Sequence, residues 1–311
     1  MNFLALAQRL RQEAGASGTG PLTTVNQAGE SRRFVDWVAA AYQDIQSQRE
    51  DWQWMRRTCA FPLVSGQLAY TPAQANAALW GYWAPKTFRN YANPPATLSV
   101  GSPGVVSLPS NGLVAGDTVT FDATAGVTFP TGVSPFTPYF VTPLTPSTFT
   151  LSATLGGAAI NTTGASAGSP RVSSSNTTSF SGLKSEVYMT DLDYDDWRDS
   201  YLYGALRFVT TRPLEITVDP AKGLRMGPME ADGYTVLGDY FQKPYLMVND
   251  ADIPALPEQM HMMIVWKALL SYGLYVESPG VVQNANTHLL PFERKLNLNQ
   301  LPTVEFVGAL A

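Results

Sequence analysis

Asp191, Asp193 and Asp195 stand at alternate positions, the spacing of the first three ligands of an EF-hand calcium loop, and they are the closest approach to a metal site in the sequence. The frame then fails. Such a loop turns on glycine at its sixth position, where this chain has Asp196, and closes with a bidentate glutamate at its twelfth, where it has Leu202. Residues 191–196 are therefore read as a solvated helix start, with carboxylates favourably placed at the positive end of the helix dipole. The two histidines, His261 and His288, lie outside any His-Glu-x-x-His frame, and His261, inside an apolar helical pattern, is expected as a packed or interfacial ring. Residues 15–20 are glycine-rich but have no Lys-Ser/Thr after them and no strand before them, so they are not a phosphate loop. Glycoside hydrolysis needs only two acids some 5 to 9.5 Å apart, roughly what any acid-bearing fold can supply, so carboxylate chemistry stays open without being indicated. The seven Trp and fourteen Tyr suit a sugar- or base-stacking surface, although aromatic cores and subunit interfaces are the more frequent use. No catalytic, cofactor-binding or metal-ligating residue is assigned, and the expectation is a protein without enzymatic activity or cofactor.

Composition narrows the class. A length of 311 residues fits about two domains, and 45% hydrophobic content excludes wholesale disorder. The net charge of −5 argues against a protein that grips nucleic acid by neutralising phosphates, but not against one that surrounds DNA without holding it. Cys59 is alone, which rules out an intrachain disulfide. The opening ten residues are too short for a signal peptide and lack its cleavage site, and no run approaches the ~20 apolar residues of a membrane span, so use in an aqueous compartment is expected.

Charge divides the chain. Residues 93–181 carry only Asp117, Asp122 and Arg171 among 89 positions, against 42 charged side chains in the other 222. This predicts an all-β, sandwich-like domain at 93–181 inserted into a discontinuous domain of 1–92 and 182–311. Strands are expected at 97–100, 105–108, 117–122, 139–143 and 148–152, with turns at Asn111-Gly112 and Gly156-Gly157. Alternation of Val119 and Phe121 with Thr118 and Thr120 puts one face on a core and one in water.

The flanking sequence predicts helices around a small antiparallel sheet, an α+β host. Its first helix rests on Phe3, Leu4, Leu6 and Leu10. The second, residues 30–50, has a core stripe of Phe34, Val38, Ile45 and either Ala41 or Tyr42. Trp52, Trp54, Trp80 and Trp83 fall in an aromatic strand-and-loop region. A strand at 186–190 and a meander at 214–219, 224–226 and 234–242 precede the most regular helix, 258–276, with Met260, Met263, Ile264, the Lys267 stem, Leu270 and Leu274 at helical spacing. A last helical stretch runs to Asn299, with Pro291 expected to force a break or a fresh start.

The opening stretch 2–15, the helix from Phe34-Val35-Asp36-Trp37-Val38 to Asp44-Ile45-Gln46, and Asp51-Trp52-Gln53-Trp54-Met55-Arg56 resemble the head-to-tail adaptor proteins of tailed bacteriophages. The resemblance continues through Gly227-Pro228-Met229, Tyr234-Thr235-Val236, Tyr240-Phe241, residues 261–269 with Tyr272-Gly273, and the stretch 300–311. It departs at Pro291, where the family keeps an uninterrupted charged helix, and in the insert, which many members lack. The insert is similar to small β modules of phage tail and virion proteins. The resemblance implies a structural virion protein at the head–tail junction, made in the bacterial cytoplasm. It forms a ring, commonly dodecameric, of identical subunits, binds the portal above and a tail nozzle or tube protein below, and lets genomic DNA pass through its lumen without specific binding and without a membrane. Portal docking is expected on the apolar segment Leu301, Pro302, Val304, Phe306, Val307 and Leu310, with folding back onto its own subunit as the alternative, and subunit interfaces at Trp52, Trp54, Trp80 and Trp83. Two rival readings remain: a virion-associated peptidoglycan hydrolase, and a tail component whose insert binds a receptor or glycan.

Overall fold

Asn2 opens the first helix by accepting the Ala5 backbone amide on its side chain at 2.9 Å, and Phe3, Leu6, Ala7 and Leu10 then fall on one buried stripe. The computed structural model describes residues 1–17, 20–122, 126–229 and 233–300. Its helices are α1 (Phe3–Glu13), α2 (Gly29–Ser47), α3 (Tyr194–Tyr201), α4 (His261–Tyr275) and α5 (Pro279–Gln300). Its strands are β1 (Arg56–Pro62), β2 (Ala69–Tyr70), β3 (Trp80–Ala92), β4 (Thr97–Leu98), β5 (Val105–Ser107), β6 (Thr118–Phe121), β7 (Tyr139–Thr145), β8 (Thr148–Ser152), β9 (Val172–Ser174), β10 (Val187–Tyr188), β11 (Thr190–Asp191), β12 (Glu215–Val218), β13 (Leu224–Gly227) and β14 (Tyr234–Gln242). The class is α+β, as expected. The chain forms two compact units, one of Met1–Arg57, Leu79–Tyr82 and the residues from Phe241 onward, the other of Thr58–Ala78 and Trp83–Tyr240. That division follows a different line from the break in charge.

In the first unit α4 packs on α1, α2 and α5. Surrounded on three sides, it is apolar almost all round, and Met263, Ile264, Val265, Ala268 and Leu269 are fully buried. The α2 stripe buries both Ala41 and Tyr42 beside Phe34, Val38 and Ile45. Gln46, fully buried, donates to the Tyr245 carbonyl at 2.8 Å and so satisfies its amide inside the core. Gly273 marks the closest approach of α4 to α5, because a Cβ there would lie 2.8 Å from the Val282 side chain.

Pro291 lies inside α5 without ending it, contrary to expectation. Proline removes one backbone donor and crowds the preceding turn, costing about 3 kcal/mol in a helix interior. Here it sits on the exposed side, where water can serve the freed carbonyl, and Ala285, Leu289 and Leu296 anchor the helix on both sides of it.

Three sheets are formed mostly by residues of the second unit, with the ends of β1, β3 and β14 belonging to the first. One has the order β1-β14-β3-β10 and another β11-β12-β13-β2, in which β11 runs parallel to β12 and the remaining pairs are antiparallel. The third, in the order β4-β5-β8-β7-β6-β9, lies wholly within residues 93–181. Its edges meet: Pro95 bridges Arg171, with the Ala96 amide on the Pro170 carbonyl at 2.8 Å and the Val172 amide on the Pro94 carbonyl at 3.0 Å. In place of the expected sandwich of two facing sheets there is one sheet curled on itself, which removes exposed edges from a set of short, strongly twisting strands.

Two of that region's three charges sit where the chain enters and leaves it. Asn93, 1% exposed, donates to Asp122 at 2.9 Å, accepts from the Thr235 hydroxyl at 2.6 Å, and offers its carbonyl to Arg171 at 3.3 Å. Burial drives the Asp122 carboxyl above the usual carboxylate range, with Asn93 and the Arg171 charge opposing it. The core beneath the curled sheet includes Val119, Phe121, Val141, Phe149 and Val172, and it also takes in Tyr91 and Leu237 from outside 93–181.

Candidate assembly surface

The tryptophans expected at subunit interfaces are mostly consumed by the chain's own packing. Trp52 is 1% exposed, donates its indole N–H to the Ile45 carbonyl at 3.1 Å and stacks with Trp54 at 6.5 Å; both belong to the helical core. Trp83 is buried in the second unit and donates to the Lys222 carbonyl at 2.9 Å. Only Trp80 keeps appreciable surface, being half-buried. Burial of three of the four rings overturns the expectation that they face neighbours. Large rings surrounded by sequence-distant apolar partners gain more from a core than from a rim. The segment Leu301, Pro302, Val304, Phe306, Val307 and Leu310 lies outside the described residues.

The aspartate run behaves as a helix start. Asp193 caps α3, accepting the Asp195 amide at 3.0 Å, and Arg198 reaches Asp195 at 2.7 Å and Asp199 at 3.1 Å. Among the described residues no group of three or more His, Cys, Asp or Glu could hold a metal ion. His261 is 3% exposed, with Nε2 at 2.9 Å from the Leu256 carbonyl, and burial holds it below its usual range. His288 stacks on Trp266 at 4.5 Å. Cys59 is buried and accordingly pushed up to about 12. None of the described helices is long and apolar enough to cross a membrane.

One uncovered apolar surface of the helical unit lies at the α4–α5 hairpin; Leu22, Val248 and Ile253 of that unit are exposed as well. The hairpin closes through the Ser278 amide on the Gly273 carbonyl at 3.0 Å and the Val276 amide on the Tyr272 carbonyl at 2.9 Å, with Glu277 in the left-handed region at φ 52°. Pro279 begins α5, where its fixed φ suits a first helical position. This geometry carries the apolar run of α4 past its buried stretch: Leu274 is 71% exposed, Tyr275 54% and Val276 40%, and Leu290 on α5 is 51% exposed. Leu274 and Leu290 border a groove of about 670 Å³ lined also by Pro279, Val282, Asn286 and Thr287, among others, with Glu277 the one ionisable group among its described lining residues. Tyr275 is fixed in place, with the Arg33 guanidinium 4.3 Å from its ring centre and Trp37 5.6 Å away.

Leu274 recurs at helical spacing with Met260, Met263, Ile264 and Leu270, yet it is 71% exposed. The signal was present, since Leu274-Tyr275-Val276 extends the apolar run beyond the last residue that α1, α2 and α5 can cover. Only the packing shows where cover ends. No protein-family model matches the chain, and no curated protein matches it.

Proposed function

We propose that the protein is a structural adaptor of a tailed-phage virion, a ring subunit joining the portal to the tail around the passing genome. In this reading residues 1–92 and 182–311 form the adaptor host and 93–181 an inserted β module. The observation that carries it is the exposed apolar surface of the α4–α5 hairpin, presented by a helical unit that has a buried core of its own. Contiguous exposed apolar surface on a folded protein marks a place for a partner. A ring subunit needs such a surface, whereas a free monomer is penalised by it. The resemblance of the helical segments to phage adaptors supplies the identity of the partners, and the weakly acidic chain suits a channel that must not retain phosphates.

The test is addition of the purified portal of the same particle, followed by mass photometry and electron microscopy. Closed rings seated on the portal are expected. Absence of any ring at every ratio sinks the reading. Truncation after Asn299, which removes Leu301, Pro302, Val304, Phe306, Val307 and Leu310, separates portal docking by that segment from ring closure: loss of portal binding by a folded truncated chain is expected.

A further inference from the structure

A cleft of about 690 Å³ in the β unit has no part in the adaptor role. One wall is the outer face of β6, where Thr118 and Thr120 point outward because Val119 and Phe121, both fully buried, take the inward positions. The cleft is also lined by the start of β14, the end of β9, β1, and the loops bearing Gln74, Asn76 and Phe136. All of the cleft's described lining residues lie within one compact unit. Not one of these described lining residues is charged. Hydroxyls and amides dominate instead, and those of Thr118, Thr120 and Thr177 make no side-chain hydrogen bond among the described residues. Asn76 donates to the Ala60 carbonyl at 3.0 Å, which fixes its amide and leaves its oxygen for a ligand.

Phe136 is the feature that solvated threonines do not explain. Phe136 lines the cleft and is 54% exposed, and its backbone is left-handed at φ 56°, a conformation rare for a bulky residue. Holding it costs on the order of 1–3 kcal/mol. The conformation is enforced by the Phe136 amide on the Phe121 carbonyl at 2.9 Å and by the Ser134 amide on the Tyr139 hydroxyl at 2.8 Å. A strained backbone that turns an aromatic ring away from the core and over a polar cleft marks a ligand platform.

The chemistry of the walls selects the ligand. With no fixed charge among its described lining residues, the cleft offers nothing there to pair with a phosphate, a carboxylate or an ammonium group. Hydroxyls and amides lining one cleft with a flat apolar ring match a molecule that has hydroxyls along its edges and C–H groups on its face. We propose that this cleft binds a neutral oligosaccharide, with Phe136 as the stacking platform and Thr118, Thr120, Gln74 and Asn76 as hydrogen-bonding partners. The site is independent of the α4–α5 surface, so either reading can fail without the other.

The test is calorimetric titration of the full chain with maltopentaose, cellopentaose, chitopentaose and a mannan-derived pentasaccharide, with a heparin pentasaccharide as the charged control. At least one neutral ligand is expected to bind with a dissociation constant below about 1 mM, and the heparin fragment not to compete for it. Phe136→Ala is expected to weaken binding by about tenfold or more. Phe136→Gly removes the ring and also releases the strain, so it is expected to lose binding while melting no lower than the unaltered chain. The proposal is overturned if none of the four neutral sugars binds at about 10 mM. It is equally overturned if binding persists unchanged in both Phe136 variants, or if the heparin fragment is the better ligand.

Discussion

Replacing Leu274 and Leu290 together by aspartate separates assembly from folding. Leu274 keeps 71% of its surface in water and Leu290 51%, so the isolated subunit gains little from either. Exposed substitutions of this kind usually change stability by under about 0.5 kcal/mol each. If a neighbour covers the hairpin, each leucine recovers its exposed fraction of the roughly 1.5–3 kcal/mol that full burial is worth. That is about 1–2 kcal/mol for Leu274 and about 0.8–1.5 kcal/mol for Leu290. The double variant therefore forfeits about 2–3.5 kcal/mol per contact, a roughly 30- to 300-fold weaker association, before the cost of desolvating two carboxylates is added. In a ring every subunit carries the loss. The assay is mass photometry with portal across a concentration series, beside a thermal melt by circular dichroism. Leu22→Asp, at a site 85% exposed in a loop of the same unit, controls for added negative charge. The expected result is an unchanged melt and no closed rings at concentrations where the unaltered chain and the Leu22 variant form them. Rings that close equally well in the double variant refute the argument, and so does equal loss in the Leu22 control.

Trp52→Ala is expected to cost about 3–5 kcal/mol in urea unfolding, as a core substitution; a loss below about 1 kcal/mol contradicts its assignment to the helical core. Replacing residues 95–180 by a short Gly/Ser linker removes most partners of Tyr91 and Leu237, so the remaining strands are expected to melt earlier while the helical unit keeps a cooperative transition. Loss of all helical cooperativity in that deletion contradicts the independence of the two cores. Asp122 titrates above its unfolded value because of burial, so its contribution to stability is present at pH values below the unfolded carboxyl value and is lost as pH rises through the folded one. Asp122→Asn, which stays neutral, is expected to gain stability relative to the unaltered chain as pH rises from about 4 toward 7, read from paired urea curves; a parallel pair of curves refutes this. Cys59, 3% exposed and pushed up to about 12, is expected to resist Ellman's reagent at pH 8 until the protein unfolds, and rapid native labelling contradicts its placement.

The sequence by itself determined the features that depend on neighbours a few residues apart. The α2 stripe from Phe34 to Ile45, the alternation at Val119 and Phe121, and the acidic helix start at 191–196 all follow from helical or strand periodicity and local electrostatics, and all were legible. So was the loss of charge across 93–181, since charged side chains are not easily spared from a solvated surface. The tertiary structure decided whatever depends on who covers whom. Pro291 stays helical because Ala285, Leu289 and Leu296 hold both sides of it; Trp52 and Trp54 are core because sequence-distant helices close over them; Leu274 is exposed because its helix outruns its neighbours. The curling of the β sheet rests on pairing 94–96 with 170–172, across a loop too long for local signals. The cleft beside Phe136 joins side chains from positions 58 to 235, and no spacing rule reaches that far, because burial and concavity are properties of the packed chain.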